Sequence, residues 1–77
     1  MEPKFESRLR EARTAKGMSQ EELARRAGVS RETIRNIENG LSVPNVLLAL
    51  VIGGIVGWGI SELFKPKKGG TDHESGN

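Results

Sequence analysis

Between Ser30 and Gly40 the chain gathers Arg31, Glu32, Thr33, Arg35, Asn36 and Asn39 around Ile34 and Ile37. These side chains suit hydrogen bonding to base edges: a guanidinium can take guanine O6 and N7 together, and a carboxamide can take adenine N6 and N7. Ser30 suits a helix N-cap and Gly40 a C-terminal stop, and the three-residue spacing of the isoleucines gives the intervening helix one narrow buried face. A helix with so thin an apolar stripe adds little to a core. Its polar surface is equipped for a major groove.

No catalytic set accompanies it. The single histidine, His73, lies in a polar C-terminal stretch, and the absence of cysteine excludes disulfides and thiolate metal sites. The carboxylates are interleaved with arginines at helical spacing, as on solvated faces. Gly53, Gly54, Gly57 and Gly59 match neither a dinucleotide-binding fingerprint nor a phosphate-binding loop. The expectation is a protein that is not an enzyme and has no cofactor and no metal site.

The 77 residues suit one small domain near the lower limit for a self-sufficient core, so association would add stability. Twelve Lys and Arg against ten Asp and Glu give a net charge of +2, too small to imply nucleic acid by itself. Its distribution is uneven: residues 1–40 hold nine basic and seven acidic residues, residues 41–61 none, and residues 62–77 three of each sign. The first forty residues contain no apolar run of the signal-peptide kind. With the cysteine-free composition, this points to a cytoplasmic location.

The elements that position the polar helix follow from spacing and caps. Phe5, Leu9 and Ala12 predict a first helix over residues 5–16, ended by Gly17. Ser19 and Glu22 form a capping box that opens a second helix over 20–27, with Leu23, Ala24 and Ala27 inward and the pairs Glu21–Arg25 and Glu22–Arg26 outward. Gly28, Val29 and Ser30 leave only a three-residue link to the third helix, over 31–39. Two helices joined so tightly must cross steeply, and small Ala24 permits their approach. Pro44-Asn45 precedes a fourth helix over 45–56, and a fifth spans 60–65, making an all-α bundle of five helices.

Residues 20–39 closely resemble the helix-turn-helix unit of the Cro/C1-type (Xre-like) repressor family. The resemblance rests on Leu23, Ala24, Ala27, Gly28, Val29, Ile34 and Ile37, with the strings Met18-Ser19-Gln20-Glu21-Glu22-Leu23-Ala24 and Ile37-Glu38-Asn39-Gly40. It extends over about residues 5–64 and implies a lambda-repressor-like fold within a DNA-binding domain of residues 1–65. It implies a sequence-specific transcriptional regulator, a repressor, that binds a palindromic operator in double-stranded DNA as a homodimer. Arg31, Glu32 and Asn36 fall where such proteins reach bases, although Glu32 could instead hold Arg31 or Arg35 in place. Gln20, with the N-terminal amides of its helix, falls at a phosphate; Ser30, Thr33, Arg35 and Asn39 are phosphate or near-base candidates. Arg13 and Glu38 correspond to an ion pair tying the first helix to the back of the third.

Residues 46–59 depart from the family, whose fourth helix usually carries Lys or Glu outward. If Val46, Ala49, Leu50, Gly53 and Val56 face the core, then Leu47, Leu48, Val51, Gly54 and Ile55 form a second apolar stripe, with Trp58 just beyond. A helix apolar all round is covered on both sides or lies in lipid. The first reading makes Leu47, Leu48, Val51, Ile55 and Trp58 a homodimer seam. The alternative makes residues 43–60 a membrane segment carrying a helix-turn-helix: 23 residues, Asn39 to Ser61, are uncharged, Gly53 and Gly57 form GxxxG, and Lys65, Lys67 and Lys68 follow. Against it, the densest apolar run, Val46 to Ile60, has 15 residues where about 20 are needed to cross. Residues 66–77, rich in polar residues and glycine, are expected to form a disordered tail.

Overall fold

The computed structural model describes residues 2–67. In chain order it contains strand β1 (Phe5–Ser7), helices α1 (Leu9–Ala15), α2 (Gln20–Ala27), α3 (Arg31–Glu38), α4 (Val46–Val56) and α5 (Ile60–Leu63), and strand β2 (Phe64–Pro66). Leu9, Leu23, Ile34, Ile37, Ile52, Val56 and Leu63 are at most 1% exposed and form the centre of a core to which α1 to α5 all contribute. Met18, between α1 and α2, plugs it from one side.

The five helices are present, but the chain is not purely helical. Phe5 stands four residues before Leu9, a helical spacing, yet it belongs to β1, which pairs antiparallel with β2 in the register Phe5↔Pro66, Glu6↔Lys65 and Ser7↔Phe64. The reason is a contact distant in sequence: the Phe5 ring meets Phe64 edge-on at 5.6 Å, and the Arg8 amide donates to the Leu63 carbonyl at 2.7 Å. The first helix therefore begins at Leu9, and the fifth ends at Leu63 because Phe64 turns extended. Pro66 closes the ribbon instead of opening a tail. The remainder of the expected tail, with His73, lies outside the described residues.

Asn45 caps α4, its Oδ1 accepting the Leu48 amide at 2.8 Å, and Gly57 ends the helix in the left-handed region. Eleven residues make a rod of about 16 Å. No helix among the described residues is long and apolar enough to cross a membrane. Gly53 and Gly57 do not form an outward small-residue seam: Gly57 is the C-cap, and a Cβ on buried Gly53 would sit 2.9 Å from the Trp58 carbonyl oxygen. The inward face of α4 is Ala49, Ile52, Gly53 and Val56. Val46 and Leu50, expected in the core, are instead 73% and 55% exposed. An all-apolar helix has no pattern of its own to choose a face, so its rotation is set by where the rest of the core lies.

Candidate DNA-binding interface

Ser19 accepts the Glu22 amide at 3.0 Å and starts α2; Gly28, at φ 75°, ends it in the left-handed conformation that turns the chain toward α3. Ser30 then caps α3, its hydroxyl accepting the Thr33 amide at 3.1 Å and lying 2.9 Å from the Thr33 hydroxyl. Ala24 is buried beneath this corner and Val29 is half-buried within it. Ile34 and Ile37 are fully buried, so they clamp α3 by its inner face and fix the direction of everything on the outer one.

That outer surface carries Arg31, Glu32, Arg35 and Asn39 exposed, with Thr33 and Asn36 half-buried at its flanks. Glu32 Oε2 lies 3.1 Å from Arg35 Nη2, one turn along the helix, so its carboxylate holds Arg35 and not Arg31. Asn39 Oδ1 accepts from Arg10 Nη2 at 3.2 Å. Asn36 supplies its backbone carbonyl to the Leu41 and Ser42 amides, which brings the chain out of α3. Arg13, Ser19, Gln20, Glu21 and Arg31 line a shallow recess where the start of α2 faces the start of α3. Both ends of the Gln20 amide are engaged within the protein: Nε2 donates to Glu38 Oε1 at 2.9 Å, and Oε1 accepts from Arg31 Nε at 3.5 Å.

Behind α3, the Glu38 side chain is completely removed from solvent. Arg13 Nε lies 2.5 Å from Glu38 Oε2, Arg13 Nη2 lies 3.4 Å from Oε1, and Arg10 Nε approaches Oε1 at 3.5 Å. Arg13 Nη1 also donates to the Met18 carbonyl at 2.8 Å, which joins the end of α1 to the same cluster. Burial pushes the Glu38 carboxyl up, but the bonds from Arg13, Gln20 and Arg10 and the Arg13 charge outweigh it and hold the group below its ordinary value. Every buried side-chain polar atom among the described residues has a partner. Sequence reasoning did not reach Arg10 and Gln20 as members of this cluster. The only available hint was that Arg10 lies three residues before Arg13 and so shares its face of the helix.

The five residues of the expected seam separate into two groups. Leu47 and Val51 are exposed, whereas Leu48, Ile55 and Trp58 are half-buried against the chain's own core. The Arg8 guanidinium covers the Trp58 ring at 4.9 Å. With Val46, Leu50 and Gly54 also outward, the solvent side of α4 is apolar from end to end.

A helix-turn-helix family model matches residues 9–52. An HTH-type transcriptional regulator of Archaeoglobus fulgidus is 45% identical over 58 residues, which are 75% of this chain and 83% of that protein. Another such regulator, from Bacillus subtilis, is 34% identical over 67 residues, covering 87% of this chain and 88% of its own length. Among solved structures, the restriction-modification controller protein C.AhdI of Aeromonas hydrophila superposes with a TM-score of 0.67 at 38% identity, covering 74% of this chain and 83% of the other. The chain belongs to the Cro/C1-type helix-turn-helix family of DNA-binding transcriptional regulators.

Proposed function

We propose that this protein is a sequence-specific repressor that binds a palindromic operator as a homodimer, with α3 in the major groove. The observation that carries the proposal is the surface of α3: a polar row containing Arg31, Glu32 and Arg35 on a helix whose opposite face is locked into the core by Ile34 and Ile37. In this reading Arg31 and Asn36 contact base edges, and Glu32 acts chiefly by holding Arg35. Arg35, Ser30, Thr33 and Asn39 serve the phosphates, and the free amides at the start of α2 grip another beside Gln20. The Arg13–Glu38 pair keeps α1 against the back of α3. The similarity to a restriction-modification controller supports a regulatory role, and a regulator of this family is consistent with a cytoplasmic location.

Two-fold symmetry in the operator needs two-fold symmetry in the protein. The apolar outer side of α4 supports a seam built on Leu47 and Val51, with Val46 and Leu50 taking the central places first assigned to Leu48 and Ile55. Trp58 joins only at the margin.

Selection of duplexes from a randomised library by the protein is expected to return two half-sites related by a dyad, about one helical turn apart. Arg31→Ala should cost about 1–3 kcal/mol of affinity and relax preference at one base pair per half-site, whereas Arg35→Ala should weaken all sequences alike and flatten the salt dependence. Unchanged affinity and preference in Arg31→Ala would remove α3 as the reading element.

A further inference from the structure

Where the β1–β2 ribbon meets the start of α4, the surface sinks into a groove of about 370 Å³, within the roughly 300–1,000 Å³ of small-molecule sites. The ribbon supplies Phe5 and Phe64, packed edge to face; Val46 and Ile60 come from the helices and Val43 from the link before α4. Val43 and Val46 are 65% and 73% exposed, so this apolar lining stands open to water. Covering it with hydrocarbon is favourable in proportion to the area removed from solvent.

Among the described residues, the charged part of the lining is Lys4 and Lys65 alone. Glu6 stands opposite Lys65 in the ribbon, so Lys4, two residues earlier, is the diagonal neighbour of Lys65, at the about 7–8 Å of such pairs. Two ammonium groups on such roots can meet one anion. Neither lysine takes part in an ion pair among the described residues, and Glu6 lines a separate recess with Glu38 and Asn39.

We infer that this groove binds an amphipathic monocarboxylate, with its apolar part against Phe5, Phe64, Val46 and Ile60 and its carboxylate between Lys4 and Lys65. The chain itself has no segment with both properties. The α4 face of a second copy is apolar, but residues 41–61 carry no carboxylate to answer the lysines. Residues 68–77 carry Asp72 and Glu74 but no apolar side chain to enter the groove. The site goes beyond the DNA-binding role and holds whether or not the outer side of α4 forms a dimer seam.

The test is an NMR titration of the full chain at neutral pH with octanoate, kept well below the concentration at which it forms micelles, and with octan-1-ol as its uncharged counterpart. Saturable shifts are expected at the Val43, Val46 and Ile60 methyl groups and the Phe64 ring, with smaller ones at Leu47 and Val51. Combining Lys4→Gln with Lys65→Gln should weaken octanoate roughly fivefold, as the loss of two solvent-exposed charge contacts warrants, and leave octanol unchanged. Both lysines are exposed, so this variant should keep the fold. Val43→Glu, which sets a carboxylate on the lining, should weaken octanoate more than octanol. Several results overturn the inference: no shift at the groove, shifts spread equally over Leu47, Leu50 and Val51, or octanoate affinity unchanged in the double lysine variant. Groove signals that follow protein concentration and resist octanoate would give the groove to a second copy. Capture of the protein by anionic phospholipid vesicles without octanoate binding would give it to a membrane surface, and either result overturns the inference as well.

Discussion

Glu38 keeps its charge with no part of its side chain in contact with water, which is tolerable only because Arg13, Gln20 and Arg10 together replace the solvent. Replacing the carboxylate by an amide removes the charge and turns one of its two acceptor oxygens into a donor, beside a guanidinium whose side chain is itself only 11% exposed. Glu38→Gln should therefore cost about 3–5 kcal/mol, a large share of what holds a small domain together. The pH dependence has a definite sign. The folded carboxyl titrates below its ordinary value of 4.5, so between the two values the unfolded chain binds more protons and stability rises with pH. The contribution is complete above 4.5 and is lost as pH falls through the folded value. Denaturant titrations across the acid range should show this loss in the unaltered protein and a shallower one in Glu38→Gln. A residual slope is expected from Glu11, whose carboxyl is lowered by its bond to Arg8 at the surface. Equal slopes in the two proteins would mean that Glu38 does not report the acid transition.

At the scale of elements, the corner after α3 depends on Gly40. Its φ is +76°, and a Cβ there would lie 2.5 Å from the Phe5 carbonyl oxygen, while its own carbonyl accepts the Lys4 amide at 2.6 Å. Gly28 has nearly the same φ, +75°, but nothing within 4 Å of the equivalent position. Gly28→Ala should thus show only the left-handed cost of about 1–2 kcal/mol, and Gly40→Ala clearly more, because β1 must also move. Thermal melts of the two variants compare the terms directly, and equal losses would mean that β1 yields freely.

An element is legible in the sequence where the contacts that build it are local. Residues 20–27 and 31–39 were readable because caps, charges and apolar spacing are all local, and α2 and α3 occur at Gln20–Ala27 and Arg31–Glu38. β1 was not, since Phe5 has helical spacing to Leu9 and its real partner, Phe64, lies at the far end of the domain. The rotation of α4 was unreadable for another reason: no polar residue marks its outside, so Ile52 and Leu50 look alike until the remaining core is in place. At the site, the residue types on α3 suggest base and phosphate contacts from the sequence alone, but the contacts of Gln20 with Glu38 and Arg31 link the start of α2 to both ends of α3, and only the folded chain brings them together.

For the whole molecule, the outer side of α4 is the feature that a lone domain does not explain. Val46 and Leu47 are 73% exposed, Leu50 55% and Val51 44%, and Val43 and Ile60 at 65% and 36% extend the patch beyond the helix. Contiguous apolar surface of this kind marks a contact with another molecule. A two-fold axis through the seam would make each copy bury the same residues, so one substitution acts twice. Burying a large aliphatic side chain contributes about 1.5–3 kcal/mol, so Val51→Lys should raise the dimer dissociation constant by about a hundredfold or more. Because Val51 points to solvent, the monomer should melt at nearly the same temperature as the unaltered protein studied at low concentration. Sedimentation equilibrium without detergent should show a reversible monomer–dimer equilibrium shifted to monomer by the lysine. Affinity for a duplex with two half-sites should then fall far more than affinity for one half-site, since only the former gains from the linked second domain. A dimer unaffected by Val51→Lys would place the seam elsewhere on the surface. Equal losses on the two duplexes would mean that one copy, and not a symmetric pair, reads the DNA.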